Sequence, residues 1–238
     1  MKKILIFTTN DGFFLKELVL NLEKFSKYEY RYIFGFQNNN IKSTLMMFFT
    51  LGIVNSIKKI LFFLINYLNK NTLKQKLHSE KFVKDEDDAA LIRYIKRSKI
   101  DLVLSINYPK KINYNVIKSA KYGGINCHLG KLPDYAGLYP VARALMNDEK
   151  YLYTTTHFMD KKFDTAKIID EIKLNIKNKN IIKIYEKIHK LSFNLIIKSL
   201  SKVFSRKANK KLLRKKNIVL LPKPKIIDLL KFKYARSC

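Results

Sequence analysis

Asn126 and His128 stand two residues apart in the stretch Gly-Ile-Asn-Cys-His, just ahead of a loop of Gly, Pro and Tyr that runs to Pro140. On an extended strand, residues two apart share a face. The Asn126 amide and the His128 imidazole can therefore aim N–H groups at one point. Two such donors make an oxyanion site, which suits acyl transfer, because a carbonyl oxygen gains charge in that transition state. A plainer reading of the same residues has His128 closing a strand end and Asn126 opening a turn. Cys127 points to the opposite face and reads as buried filler, not as a nucleophile.

These residues are scarce elsewhere. The chain has four His, seven Gly and five Pro, and the window from Gly123 to Pro140 takes one, four and two of them, so a local demand concentrates them there. Hydrophobic residues make up 47% of the 238, enough to bury a sizeable core. The formal net charge is +29, which suits phosphates, acidic lipids or an anionic substrate. Lys, Ile and Asn are abundant throughout, however, so the charge reads equally as compositional bias. With no RNA-binding or helix-turn-helix signature, nucleic acid is not the expected partner. Only Cys127 and Cys238 carry thiols, no Cys/His spacing suggests a metal site, and a cytoplasmic setting is expected. The apolar run Ile4 to Phe7 is too short for a secretory signal and reads as a first strand.

Elements must position the pair. After the first strand come the loop "TTNDG", a helical "FFLKELVLNLEKF" and a second strand, Tyr30 to Phe36. A second alternation follows: helix "DDAALIRYIKRSK", strand Asp101 to Ile106, loop "NYPKK", helix "NYNVIKSA" and strand Gly124 to His128. Alternation of this kind predicts an α/β fold with a doubly wound, mostly parallel sheet, and ligands beyond the carboxyl ends of its strands. Two further strands, "TTTHFM" and "AKIIDEIKLNI", and a long amphipathic helix from Ile181 to Phe204 complete a domain over residues 1–204. Residues 205–238 read as a basic C-terminal tail packed back by "NIVLLP".

Between the two alternations lies an apolar helical insert, about 41–80. Its uncharged run, Ser43 to Ile57, is 15 residues, short of the roughly 20 that a spanning helix needs. Two helices broken near Gly52 are expected, the second carrying Ile57, Ile60, Leu61, Leu64, Ile65 and Leu68 on one face. That face suits packing on the sheet, a homodimer partner, or peripheral membrane contact through 43–69 at the inner membrane surface.

The segment from Ile125 to Ile169 resembles the folate-dependent formyltransferase family. Asn126, His128, Gly130, Leu132, Pro133, Tyr135, Gly137, Asn147, Thr155, His157, Met159 and Asp164 all stand where that family's pattern has them, and "DLVLSINYPKKI" is similar to its folate-contacting strand and loop. The resemblance covers roughly Met1 to Asn175. It implies formyl transfer from 10-formyltetrahydrofolate to an amine, with Asn126, His128 and Asp164 catalytic. Asn126 and protonated His128 would hold the oxyanion, and Asp164 would favour the imidazolium and take the amine's proton. Folate would be held by backbone at Pro109, Lys110, Lys111 and Ile112 and from Asp160 to Phe163, with His157 a positioning residue near Asp164.

Departures narrow the acceptor. Ala166 replaces a usual Gly, and "VARAL" replaces a Trp-bearing helix. The first loop lacks the glycine-rich phosphate cradle of the glycinamide ribonucleotide branch, and the chain is too short for the extra barrel-like domain of the methionyl-tRNA branch. An amino sugar linked to a nucleotide, destined for surface polysaccharide such as lipopolysaccharide, is the expected acceptor. Asn10, Lys131, Tyr135 and Arg143 are its candidate contacts, two cations for a diphosphate and an aromatic ring to stack. Another amine, water, or a non-catalytic module of the same fold stay open as alternatives.

Overall fold

The computed structural model describes residues 1–11, 13–35, 45, 47–48, 51–68, 77, 87–162, 164, 167–176, 181–208 and 218–222. Phe163, Ala166, part of the insert and most of the tail lie outside these. Strands β1 (Lys2–Thr9), β2 (Tyr28–Gly35), β3 (Leu102–Ile106), β4 (Gly124–His128), β5 (Tyr151–Phe158) and β6 (Ile168–Asn175) form one sheet in the order β2-β1-β3-β4-β5-β6. The first four are parallel, while β5 and β6 join antiparallel. The expected α/β, mostly parallel architecture is present.

Period-two alternation splits the sheet into two faces. Ile4, Ile6, Leu102, Leu104, Ile125 and Cys127 turn to one side, against α1 (Lys16–Lys24) and the long α6 (Ile181–Phe204). Leu5, Phe7 and Val103 turn to the other, against α3 (Asp88–Arg97) and α4 (Tyr114–Ser119). Asn126 belongs to this second face by register, opposite Ser105 of β3. Central strands are apolar runs because both faces are covered. Asp87 caps α3, its carboxylate accepting from the Ala90 N–H, and Asn113 caps α4 through Asn115 N–H, so each helix starts at a fixed place.

Two features beside the sheet matter for the site. Residues 218–222 pack back as expected of "NIVLLP": Leu221 bridges Gly137, its N–H donating to Ala136 O at 2.8 Å and its carbonyl accepting from Leu138 N–H at 2.9 Å. The tail thereby straps the loop that follows β4. In the insert, α2 (Ile53–Leu68) follows a break at Gly52, whose φ of 76° is accessible to glycine. Of the three uses expected for its apolar face, packing on the sheet is the one that the exposed side chains do not fit, and Asn55, Ser56 and Asn66 are buried instead.

Candidate active site

β4 is a buried strand, so its register is fixed, and Asn126 and His128 emerge on one face. Asp164 arrives from the segment after β5 with a φ of 49°, a left-handed conformation that a short polar side chain tolerates better than most. The three side chains meet. Asn126 Nδ2 donates to Asp164 Oδ1 at 3.3 Å, and His128 Nδ1 lies 3.6 Å from Asp164 Oδ2. His157, opposite Asn126 across the β4–β5 pair, brings Nε2 to 3.2 Å from both Asn126 Nδ2 and Asp164 Oδ1.

Proton placement follows from the partners. The Phe158 carbonyl, 2.7 Å from His157 Nδ1, can only accept, so Nδ1 carries a proton. Nε2 then accepts from the Asn126 amide when the ring is neutral and donates to Asp164 when it is charged. By the same logic His128 Nε2, 2.7 Å from Tyr135 O, holds a proton, and its Nδ1 faces the carboxylate.

Burial pushes the Asp164 carboxyl up, but it is outweighed by the His157 hydrogen bond, by attraction to the His128 and His157 rings as they take up protons in acid, and by the Gly137 N–H donating at 2.8 Å. Together these hold the carboxyl down at about 2. His128 goes the other way from expectation. Burial lowers its pKa, and the opposing pull of Asp164 and the Tyr135 carbonyl does not overcome that. The resting imidazole is therefore biased to neutral, whereas Asp164 was expected to favour the imidazolium. Cys127 is buried filler, as expected: its thiol is pushed up to about 11 by burial.

The flanking loops converge on the same face. Tyr108, Ile112 and Met159 pack with Phe7 and Val103, so the loop after β3 and the one after β5 adjoin. Pro109, Lys110, Lys111 and Asp160 are exposed beside them, and Phe163 lies outside the described residues. Asn10 sits at the carboxyl end of β1, next to Asp11.

Lys131, Tyr135 and Arg143, the expected acceptor contacts, come together apart from the catalytic trio. They line a cleft of about 480 Å³ that neither Asn126, His128 nor Asp164 lines. Tyr135 is a core residue, packed with Leu129, Val141 and Leu145, and its hydroxyl donates to Glu149 at 2.7 Å and accepts from Asn147 at 3.1 Å. Arg143 donates to the Pro222 carbonyl and so fastens the strap. Lys131 pairs with Asp134 at 3.5 Å and lies over the Tyr153 ring.

Sequence reasoning missed Gly137 and Gly130 as site residues. A Cβ at Gly130 would stand 2.8 Å from His128 Nε2, and one at Gly137 would meet the Leu221 backbone. Two glycines inside one short loop were the available signal. For the strap, the apolar "NIVLLP" signalled that the tail packs back but not that it packs on Gly137, which is far from Leu221 in sequence.

Residues 64–200, more than half of the chain, match the Formyl transferase family. The chain belongs to that family. It is 30% identical over 143 residues to the bifunctional polymyxin resistance protein ArnA of Wigglesworthia glossinidia brevipalpis, covering 60% of this chain and 22% of that protein. It is also 30% identical over 117 residues to the methionyl-tRNA formyltransferase of Clostridium tetani, covering 48% of this chain and 37% of that one. The chain thus matches well under half the length of these relatives. Among solved structures, a sugar N-formyltransferase from a Shewanella species shares the fold with a TM-score of 0.59 and 17% identity, over 99% of this chain and 88% of its own. The formyltransferase PseJ of Anoxybacillus kamchatkensis, in complex with UDP-4,6-dideoxy-4-formamido-L-AltNAc and tetrahydrofolate, has a TM-score of 0.52 and 13% identity, over 93% of this chain and 86% of its own.

Proposed function

We propose that this chain transfers a formyl group from 10-formyltetrahydrofolate to the amine of a nucleotide-linked amino sugar. The observation that carries the reading is the meeting of Asn126, His128 and Asp164 at one point beyond the carboxyl end of β4. The co-substrate supplies an electrophilic formyl carbon attached to nitrogen. Tyr108, Ile112 and Met159 offer a wall for its flat ring system, and Lys110 and Lys111 offer charge for its carboxylates.

The residues then divide the work. The amine nitrogen bonds to the formyl carbon, and the Asn126 amide, turning from Asp164 or His157, donates to the oxygen that gains charge. Neutral His128 has its Nδ1 lone pair beside Asp164, where it can take the proton the amine must lose. The imidazolium formed is paired at once with the carboxylate and returns its proton to the leaving nitrogen as the old carbon–nitrogen bond breaks. Asp164, with a pKa of about 2, is too weak a base for that transfer and serves as a fixed negative charge and orienter.

The amino-sugar acceptor is supported by neighbours of the same fold that carry sugars, and by the lack of a glycine-rich phosphate cradle after β1. A second reading, methionyl-tRNA as acceptor, is favoured by the sequence relatives of that name. One assay separates them: 10-formyltetrahydrofolate with a nucleotide-linked amino sugar, the same sugar free, methionyl-tRNA, glycinamide ribonucleotide and no amine, read by mass. Turnover should be much the highest on the nucleotide-linked sugar. Equal rates on free and linked sugar, or formylated methionyl-tRNA as the main product, would overturn the acceptor and leave the chemistry standing.

A further inference from the structure

Helix α2 is inside-out. Ile57, Ile60, Leu61, Leu64, Ile65 and Leu68 are between 44 and 68% exposed, while Asn55, Ser56 and Asn66 are no more than 9% exposed. The buried polar groups are satisfied locally: Asn55 donates to Leu51 O at 2.9 Å, Asn66 to Phe62 O at 2.6 Å and Ser56 to Met47 O at 3.2 Å. Lys59 also turns inward, paired with Asp11 Oδ2 at 2.9 Å and lying 4.4 Å from the Phe14 ring centroid. The helix is therefore held by its polar face to the loop after β1, on the rim where the catalytic strands end. Its apolar face is left over.

We propose that α2 is an in-plane docking helix for an anionic phospholipid surface. At 100° per residue the apolar arc is about 140° wide, broader than the narrow seam that suits a partner helix. Such a width suits the flat boundary between headgroups and acyl chains, in which an amphipathic helix lies. The charges agree. The helix contains no Asp or Glu, its exposed Lys58 stands at the rim of the arc, and the whole chain carries +29. No described helix is long and apolar enough to cross a membrane, so contact is in the plane.

The test is co-sedimentation of the full chain with vesicles of phosphatidylcholine containing about one-third phosphatidylglycerol, and with phosphatidylcholine alone. The intact protein should partition to the anionic vesicles and keep part of that binding at about 0.5 M salt, where simple attraction between charges is screened. The variant Ile57→Gln, Leu61→Gln, Leu64→Gln, substituted only at exposed positions, should keep its circular dichroism and bind at least about 30-fold more weakly. No partitioning by the intact chain would overturn the proposal, as would equal binding by the variant. A salt-resistant dimer that the variant converts to monomer, without vesicle binding, would instead assign the face to a second copy.

Discussion

Replacing Asp164 with Asn should cost stability at neutral pH, by an amount set by the geometry. The carboxylate is 7% exposed and accepts from the Asn126 amide and the Gly137 N–H, with His157 Nε2 and His128 Nδ1 nearby. Its pKa falls from an ordinary 3.8 to about 2, and at 1.36 kcal/mol per unit, less the His128 share that lapses once that ring is neutral, ionised Asp164 is worth about 1 to 2 kcal/mol to the folded state at pH 7. A carboxyl depressed on folding contributes fully above its unfolded pKa, and the contribution drains away as pH falls from about 4 through about 2. Asn also turns an N–H2 toward either Gly137 N–H or the Asn126 amide, setting donor against donor and adding about 1 kcal/mol or more. Chemical denaturation at pH 7 should therefore show the variant about 2 to 4 kcal/mol less stable. The gap should narrow toward acid, because the wild type alone loses the Asp164 contribution there. Asp101 and Asp170 are also depressed, but they are common to both proteins and cancel in the difference. A gap below about 0.5 kcal/mol at pH 7, or one that does not change with pH, would refute the reasoning.

Gly130→Ala should lower turnover at least about 10-fold in a folded protein, because the new Cβ would stand 2.8 Å from His128 Nε2 and 3.0 Å from the Tyr135 carbonyl; unchanged kcat would count against that packing. Tyr135→Phe should lose about 1 kcal/mol of stability through the Glu149 and Asn147 hydrogen bonds and leave the acceptor KM unchanged. A raised KM with intact stability would restore the ring to the acceptor site. Turnover should rise with pH through a pKa below 6.5 and stay level to neutrality, since His128 takes a proton and burial lowers its pKa; a fall across that range would favour the imidazolium instead.

Much of this was legible in the residues. β1, β3 and β4 are short apolar runs closed by polar loops, and β4 was placed to the residue because Gly124 and the loop after His128 bound it on both sides. Asn126 and His128 were readable because a strand's period of two has no slack. Three things were not legible. The antiparallel pairing of β5 and β6 depends on loop paths that apolar alternation does not encode. The face on which α2 packs is set by Lys59 meeting Asp11, a contact 48 residues apart that no helical period reports. The protonation of His128 is a balance between burial and a neighbouring charge, and only the burial, absent from the sequence, decides it. The partners of Tyr135 and Arg143 were illegible for a related reason, since residue type says that a ring or a guanidinium can bind a ligand but not that Glu149 or the Pro222 carbonyl also engages it.

The central claim is that His128, set against Asp164, carries out formyl transfer. The most direct test is mass-resolved transfer from 10-formyltetrahydrofolate to a nucleotide-linked amino sugar by wild-type protein and by His128→Asn, with folding of both verified by circular dichroism. A formylated product with the wild type, and a rate at least about 100-fold lower with the variant, is the predicted result. Comparable rates in the two folded proteins would contradict the account.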